Sequence, residues 1–392
     1  MGIISGLKTK EGLVSEYQYY EWQTVDRLLT EAEQEAVCKL SSHIEVSASR
    51  AVVTYSYGDF KHEPRTVLAR FFDAHLYLAN WGSRRLLFRF PGGLVSRDAI
   101  LPYCVSELIT FGTVSGFDIL DIDLSEEEGG DWIEDEGSLS GLLSLRSDII
   151  QGDYRSLYLA WLKAQSLQEG YRMQERKSPE SKPPVPAGLK QLSPALKRFI
   201  QQFDVPAYLI EAASEHSPAL AKTVETDFLP LIAQLTRDEC DGFLCRFAQG
   251  DTSAGTELKR RLLAFAPPRP SAPEVRIAFD KLMKRAEALE ADHKERRKQE
   301  ARRKHEAEMK DLAICEEDVW RQVVVQVNTK QTKGYDVAVC MLKKLAQLAE
   351  FNGSKTEFRR RVAELCERYS RLSGFQSRMQ QAKLAVDVRE DS

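Results

Sequence analysis

The densest set of potential ligands in the chain is acidic: Asp118, Asp121 and Asp123, followed by Glu126, Glu127 and Glu128. Oxygen donors of this kind suit Mg²⁺, which is commonly held by one or two carboxylates. Asp121 and Asp123 lie two apart, so a strand would aim both at one face, and a metal-dependent phosphotransfer or hydrolytic activity there is one reading. Against it, Gly129-Gly130 lacks the spacing and the Lys-Ser/Thr of a phosphate-binding loop. A solvated strand end running into an acidic surface loop, Ser125 to Glu136, accounts for the same residues, and no cofactor is expected. His75 as a general base would need a nucleophile and an orienting carboxylate; neither is evident, which favours a core histidine. Cys240 and Cys245 have no further Cys or His at ligand spacing, so they do not make a zinc site.

Two other groups could grip an anion. Trp81 stands beside Arg84 and Arg85, an aromatic with two guanidinium groups that could stack a base or hold a phosphate. The plainer account is a turn whose Trp caps a core. From Lys294 to Lys304 the chain carries seven basic residues against two acidic ones, Arg296, Arg297, Arg302 and Arg303 among them. Several phosphates neutralised together give a large, salt-sensitive affinity. Glu287, Glu290, Asp292, Glu306 and Glu308 flank the run, and a solvated helix is the competing account.

The elements that must position these residues are legible in part. Tyr17–Val25 reads as a strand, Thr30-Glu-Ala-Glu33 as a capping box opening a helix, and Arg50–Tyr57 as a second strand. Pro64 suits the first turn of a helix running to about Ala79, with Leu68, Phe71, Phe72, His75 and Ala79 on one face. Arg85–Phe90 alternates, sending Leu86, Phe88 and Phe90 to one face and Arg85 and Arg89 to the other. A short helical piece near Asp98–Val105 and strands at 107–113 and 117–124 follow. Together these predict an α+β domain over 14–177, its helices packed on a mostly antiparallel sheet, with a ferredoxin-like arrangement among the topologies open to it.

Prolines mark linkers at 178–188 and 267–273, which hold the chain extended. Between them, 189–266 reads as a helical domain. Residues 274–327 contain neither Gly nor Pro and read as one long charged helix, polar all round beyond Leu289, which suits a stalk. In 328–385, Tyr335, Ala338, Leu342, Leu345 and Ala349, then Phe358, Val362, Leu365 and Tyr369, then Phe375 and Met379, mark the amphipathic helices of a small C-terminal module, with Gly334 expected to end the element before it. The first ten residues and the last seven are expected to be loose.

The segment Gly334–Glu350 with Phe358–Leu365, Tyr369 and Phe375–Met379 resembles the helical module that ends many bacterial SWIM zinc-finger proteins. The SWIM finger itself, two cysteines one residue apart and a distant Cys-x-His, is absent, so neither zinc nor the finger's DNA role carries over. Tyr-Glu-Trp at 20–22, the Ala-His-Leu-Tyr-Leu-Ala-Asn-Trp-Gly-Ser-Arg-Arg run and Gly152–Trp161 resemble an uncharacterised family of bacterial cytoplasmic proteins. That resemblance implies domain order and location and supplies no catalytic residue.

The net charge of -4 gives no global pull toward a polyanion, so any such contact must be local. Seven scattered cysteines fit a reducing compartment, and Met1–Lys8 has no signal-peptide core, so a cytoplasmic protein is expected. No apolar run approaches a membrane span, and no membrane partner is expected. With no nucleophile, base or ligand set assembled, the leading expectation is a non-enzymatic adaptor working through helix-mediated protein contacts. Nucleic-acid binding through 294–304 is the alternative, and oligomeric state is left open.

Overall fold

A computed structural model describes residues 16–126, 138–171, 182–220, 227–251, 254–265 and 274–384. The termini expected to be loose, the acidic stretch beyond Glu126 and residues 178–181 and 267–273 of the expected linkers lie outside them. The architecture is an α+β region followed by an all-helical one. The chain divides into two compact units, Met1–Glu290 and Ala291–Ser392.

The first unit is built on seven strands: β1 (Gln18–Gln23), β2 (Glu45–Val46), β3 (Arg50–Tyr55), β4 (Ala74–Ala79), β5 (Arg84–Pro91), β6 (Ile109–Val114) and β7 (Phe117–Asp123). They form one sheet in the order β2-β3-β1-β4-β5-β7-β6, antiparallel at every pairing. This is a larger sheet than the four-stranded ferredoxin-like arrangement.

Helices cover both faces. On one face, α1 (Glu31–Cys38) and α2 (Pro64–Phe71) pack over Tyr20, Trp22, Val53 and Leu87. The capping box that starts α1 is present, with Thr30 and Glu33 satisfying each other's backbone amides. The other face presents Leu76, Leu78, Leu86, Phe88, Phe90 and Leu120. Over it lie α3 (Arg97–Ile100), α4 (Leu143–Ile150), α5 (Arg155–Tyr171), α6 (Pro194–Gln202) and α7 (Ala207–Ser214). Trp161 of α5 is fully buried there.

Several expectations need correction. The helix from Pro64 stops at Phe71; residues 74–79 are strand β4, and His75 sits on a strand. Ala-His-Leu-Tyr-Leu-Ala satisfies a period of two as well as a helical stripe, and the sheet takes it. The first proline segment does not separate two domains in its described part. The Val185 amide donates to the Val275 carbonyl at 2.8 Å, and Val185 and Leu189 are buried in the core that α6, α7 and Phe279 share with the sheet. Prolines keep the chain extended, and an extended chain can still pair and pack. The long helix begins at Phe279 and breaks at Cys315, giving α11 (Phe279–Ile314) and α12 (Glu316–Asn328).

Between α7 and α11 lie α8 (Leu229–Ile232), α9 (Arg237–Ala248) and α10 (Ala254–Leu263). The second unit adds α13 (Thr332–Phe351), α14 (Lys355–Arg368) and α15 (Ser373–Gln381). The stripe residues read from the sequence meet as expected: Leu342, Leu345, Val362, Phe375 and Met379 share one core with Trp320 and Val323. Gly334 lies inside α13 rather than before it. A Cβ there would stand 2.6 Å from the Gln326 carbonyl oxygen, so glycine allows the close approach of α12's end to α13's start.

One ionic network crosses the layers of the first unit. Asp73 accepts hydrogen bonds from the Val25 and Asp26 amides at 2.6 and 2.9 Å and from Arg89 at 2.7 Å. Arg89 also donates to the Ala69 carbonyl at the end of α2. Arg146 of α4 donates to the Arg89 carbonyl at 2.8 Å and holds Asp26 through both its terminal nitrogens. Burial alone would raise the Asp73 carboxyl; Arg89, Arg146 and the two amides outweigh it and hold the group below the ordinary carboxylate value. Removing one partner of a buried ion pair strands the other, so Asp73→Asn is expected to cost about 3–5 kcal/mol. A lowered urea midpoint at neutral pH measures it. A depressed carboxyl stabilises above its unfolded pKa, so the wild-type advantage should fade as pH falls through the folded value.

Candidate functional site

The β4–β5 hairpin carries the first candidate cluster. Ala79 donates to the Ser83 carbonyl at 2.9 Å, and Gly82 takes a positive φ of 104° to close the turn. Trp81 is partly exposed, and its indole N–H donates to the Ser83 hydroxyl at 2.9 Å. Strand alternation sends Arg84 and Arg85 to opposite faces of the sheet. Arg84 is buried on the side of Leu86 and Phe88, with Nε and one terminal nitrogen unpartnered. Arg85 faces the other way. The two guanidinium groups and Trp81 therefore form no common surface.

Asp121 and Asp123 do share a face, as their spacing requires, and that face is occupied by Arg85. Its Nε and Nη2 donate to the two oxygens of Asp121 at 2.8 and 2.7 Å, and Asp123 lies 3.8 Å away. Arg65 of α2 approaches Asp121 at 3.9 Å from the neighbouring layer. Hydrogen bonding to Asp121 raises the Arg85 guanidinium above its ordinary value, so it stays charged. A fork of this kind uses both carboxylate oxygens. Asp118 is engaged as well, accepting from the Thr113 hydroxyl and the Gly93 amide at 2.8 Å each. These carboxylates tie β7 to its neighbours, Asp121 to β5 and Asp118 to β6 and the turn after β5, and among the described residues no group of His, Cys, Asp and Glu is arranged to hold a metal ion. Glu127 and Glu128 lie outside the described residues.

His75 is fully buried and stacks on Trp22, ring centroids 4.5 Å apart and 21° from coplanar. Its Nδ1 lies 2.9 Å from the Glu21 carbonyl, which makes that nitrogen the protonated one, and Nε2 has no hydrogen-bond partner. Burial pushes the imidazole down to about 3, so it is neutral and sealed from any substrate.

The basic segment is arranged quite differently. All of 294–304 lies within α11, in the second unit, and every residue of it is exposed. Arg302 pairs with Glu306 at 2.8 Å. Among the described residues, Lys294, Arg296, Arg297, Lys298, Arg303 and Lys304 make no ion pair. Asp73, Asp121, Arg85 and Arg89 of the sheet unit are paired with one another, whereas most cations of 294–304 are unpaired and exposed.

Two surfaces were not legible in the sequence. In the first unit, α9 buries none of its residues, although it carries Phe243, Leu244 and Phe247. Leu229, Ile232, Leu244 and Phe247 are all exposed across α8 and α9. In the second unit, a groove of about 670 Å³ between α12 and α14 is floored by Trp320, Val324 and Leu365. Arg361 at its rim lies over the Trp320 ring at 4.4 Å and pairs with Glu317. Apolar spacing predicts helices here but not which apolar residues lack a partner, because that depends on what packs against them.

His75 yields a test. Unfolded, it takes a proton near pH 6.5, while folded it resists until about pH 3. Its folded pKa is lowered, so stability is intact above the unfolded value and is lost as pH falls toward the folded one. The expected slope from this group is roughly 1.4 kcal/mol per pH unit. Urea midpoints at pH 7 and pH 5 should fall less in His75→Phe than in the wild type.

No family model matches the chain, and neither a curated protein nor a solved structure does.

Proposed function

We propose that this chain is a non-enzymatic interaction protein that works through helix-mediated contacts with a protein partner. The observation that carries the reading is the exposed apolar surface of α8 and α9. Isolated helices shorter than about 12–15 residues are marginal in water and depend on tertiary packing. Helix α9 has 12 residues and none buried, while Leu229 and Leu244 are 78% and 61% exposed. Exposed leucine, isoleucine and phenylalanine side chains concentrated on two helices suit an interaction site, where a partner would cover them. The Trp320 groove supports the same reading, since an amphipathic helix seats its apolar face in such a floor. The ionisable groups of the sheet fit a structural role: Asp121 and Asp73 are bonded to arginine and His75 is sealed. All seven cysteines are free, which suits a reducing, cytoplasmic setting. No helix among the described residues is long and apolar enough to cross a membrane.

Affinity purification at native expression should recover a stoichiometric protein partner. Leu229→Asp with Leu244→Asp should lose it while shifting the thermal midpoint little, because exposed substitutions stay within about 0.5 kcal/mol. Recovery of no partner across several growth conditions would count against the reading.

A second reading, a nucleic-acid-binding accessory role, is favoured by the six cations of 294–304 that make no ion pair among the described residues. Binding to nucleic acid should weaken steeply with added salt. Arg296→Gln, Arg297→Gln and Arg303→Gln should make that dependence shallower.

A further inference from the structure

Arg50, Arg85 and Arg89 of the sheet each hold a carboxylate. Arg84, the first residue of β5, makes no ion pair and no side-chain hydrogen bond among the described residues. It is nonetheless only 7% exposed, and its Nε and one terminal nitrogen are shut off from water without a partner. A buried lysine or carboxylic acid can shed its charge by proton transfer; a guanidinium keeps it. A buried charge with nothing to balance it is strongly unfavourable.

The carboxylates of this end of the sheet are committed elsewhere. The Leu124 amide donates to the Arg84 carbonyl at 2.9 Å and the Glu126 amide to the Gly82 carbonyl at 3.2 Å, so the β5–β7 register runs on past Asp123. Alternation then puts Glu126 on the same face as Arg84, diagonally across from it. The Glu126 carboxylate turns instead to the buried Lys163 of α5, the helix that covers this face. Asp204, just beyond α6, lies 3.7 Å from the same Lys163. Lys163 therefore stands between two carboxylates, and Arg84 has none.

The N–H groups of a guanidinium match the oxygens of a carboxylate or a phosphate, and charge assistance makes those bonds strong. Burial sets the size of the ligand. Phosphates on a nucleic acid or a membrane lie on extended surfaces and are met by side chains that project, which Arg84 does not. Its remaining terminal nitrogen is not sealed, which gives a small ion its approach. We infer that Arg84 binds a small oxyanion, phosphate or carboxylate, at this end of the sheet, beside the Lys163–Glu126 pair. The ion supplies the counter-charge that Glu126 gives to Lys163.

The test titrates the full-length chain with inorganic phosphate, and separately with acetate, in chloride buffer at constant ionic strength. Calorimetry should show saturable heat for at least one of the two, and the thermal midpoint should rise by several degrees at about 100 times the dissociation constant. Phosphate acting alone identifies the tetrahedral ion, and acetate acting alone the planar one. Arg84→Gln should abolish both heat and rise. Arg84→Lys keeps the charge without the planar fork and should bind about tenfold more weakly or worse; it carries the comparison if Arg84→Gln fails to fold. Lys61→Gln, which removes an exposed cation of the same unit, should keep the full response. No heat with either anion would overturn the site, and so would heat that survives undiminished in both Arg84 variants. Binding that appears only in Glu127→Gln with Glu128→Gln would also overturn it, because carboxylates of the chain itself would then supply the charge.

Discussion

The Asp73 carboxylate is the constraint around which the first unit closes. A charged group this deep costs several kcal/mol unless its hydrogen-bonding capacity is met. Meeting it fixes four pieces of chain at once: the exit of β1 at Val25 and Asp26, the start of β4, Arg89 on β5, and through Arg89 and Asp26 the Arg146 side chain of α4. The Asp73 amide donates to the Gln23 carbonyl at 2.9 Å, so backbone and side chain both dock on the end of β1. The chain cannot remain helical through this point and make those bonds. Phe72, the residue that follows α2, is already extended at φ -127° and ψ 171°.

The same constraint explains where the sequence was readable. The α1 capping box, the alternation of β5 and the stripes of α13 and α14 are local patterns, each set by residues within a turn or two of one another, and each is found where expected. The class, an α+β region followed by helices, follows from their sum. The end of α2 is decided by Val25, Asp26 and Arg89, which are distant in sequence, so the 64–79 stripe gave no warning. Val185 was hidden for a related reason: proline content reports an extended backbone, and only Val275 says whether it is paired. Spacing placed Asp121 and Asp123 on one face. It could not show that Arg85, from another strand, already holds Asp121.

Charge is used in two opposite ways. In the sheet unit, Asp73, Asp121, Arg89 and Arg146 are buried and paired, so their fields end within a few ångströms of their source. Along 294–304 most cations face water without a partner. The proposed activity belongs to surfaces with unmet potential, apolar on α8 and α9 and cationic on α11, while Asp121 is held by Arg85 and His75 is buried. Trp81, Arg84 and Arg85 illustrate the distinction, since neighbours in sequence on a strand are kept apart by the sheet itself.

The strand order has a kinetic side. Strand β1, among the first elements in the chain, sits between β3 and β4, and β4 must be in place before β1 is enclosed. The Leu139 amide, still later in sequence, donates to the buried Glu21 carboxylate on β1 at 2.8 Å. Contacts of such long sequence separation are slow to form, because loop entropy is lost before they stabilise anything. Helices α12 to α15 pack mainly on sequence neighbours and escape that delay. During synthesis the chain then holds an open, strand-rich segment until residues past 139 emerge. For that interval β1, with Tyr19, Tyr20 and Trp22 uncovered, is the stretch most exposed to pairing with another copy.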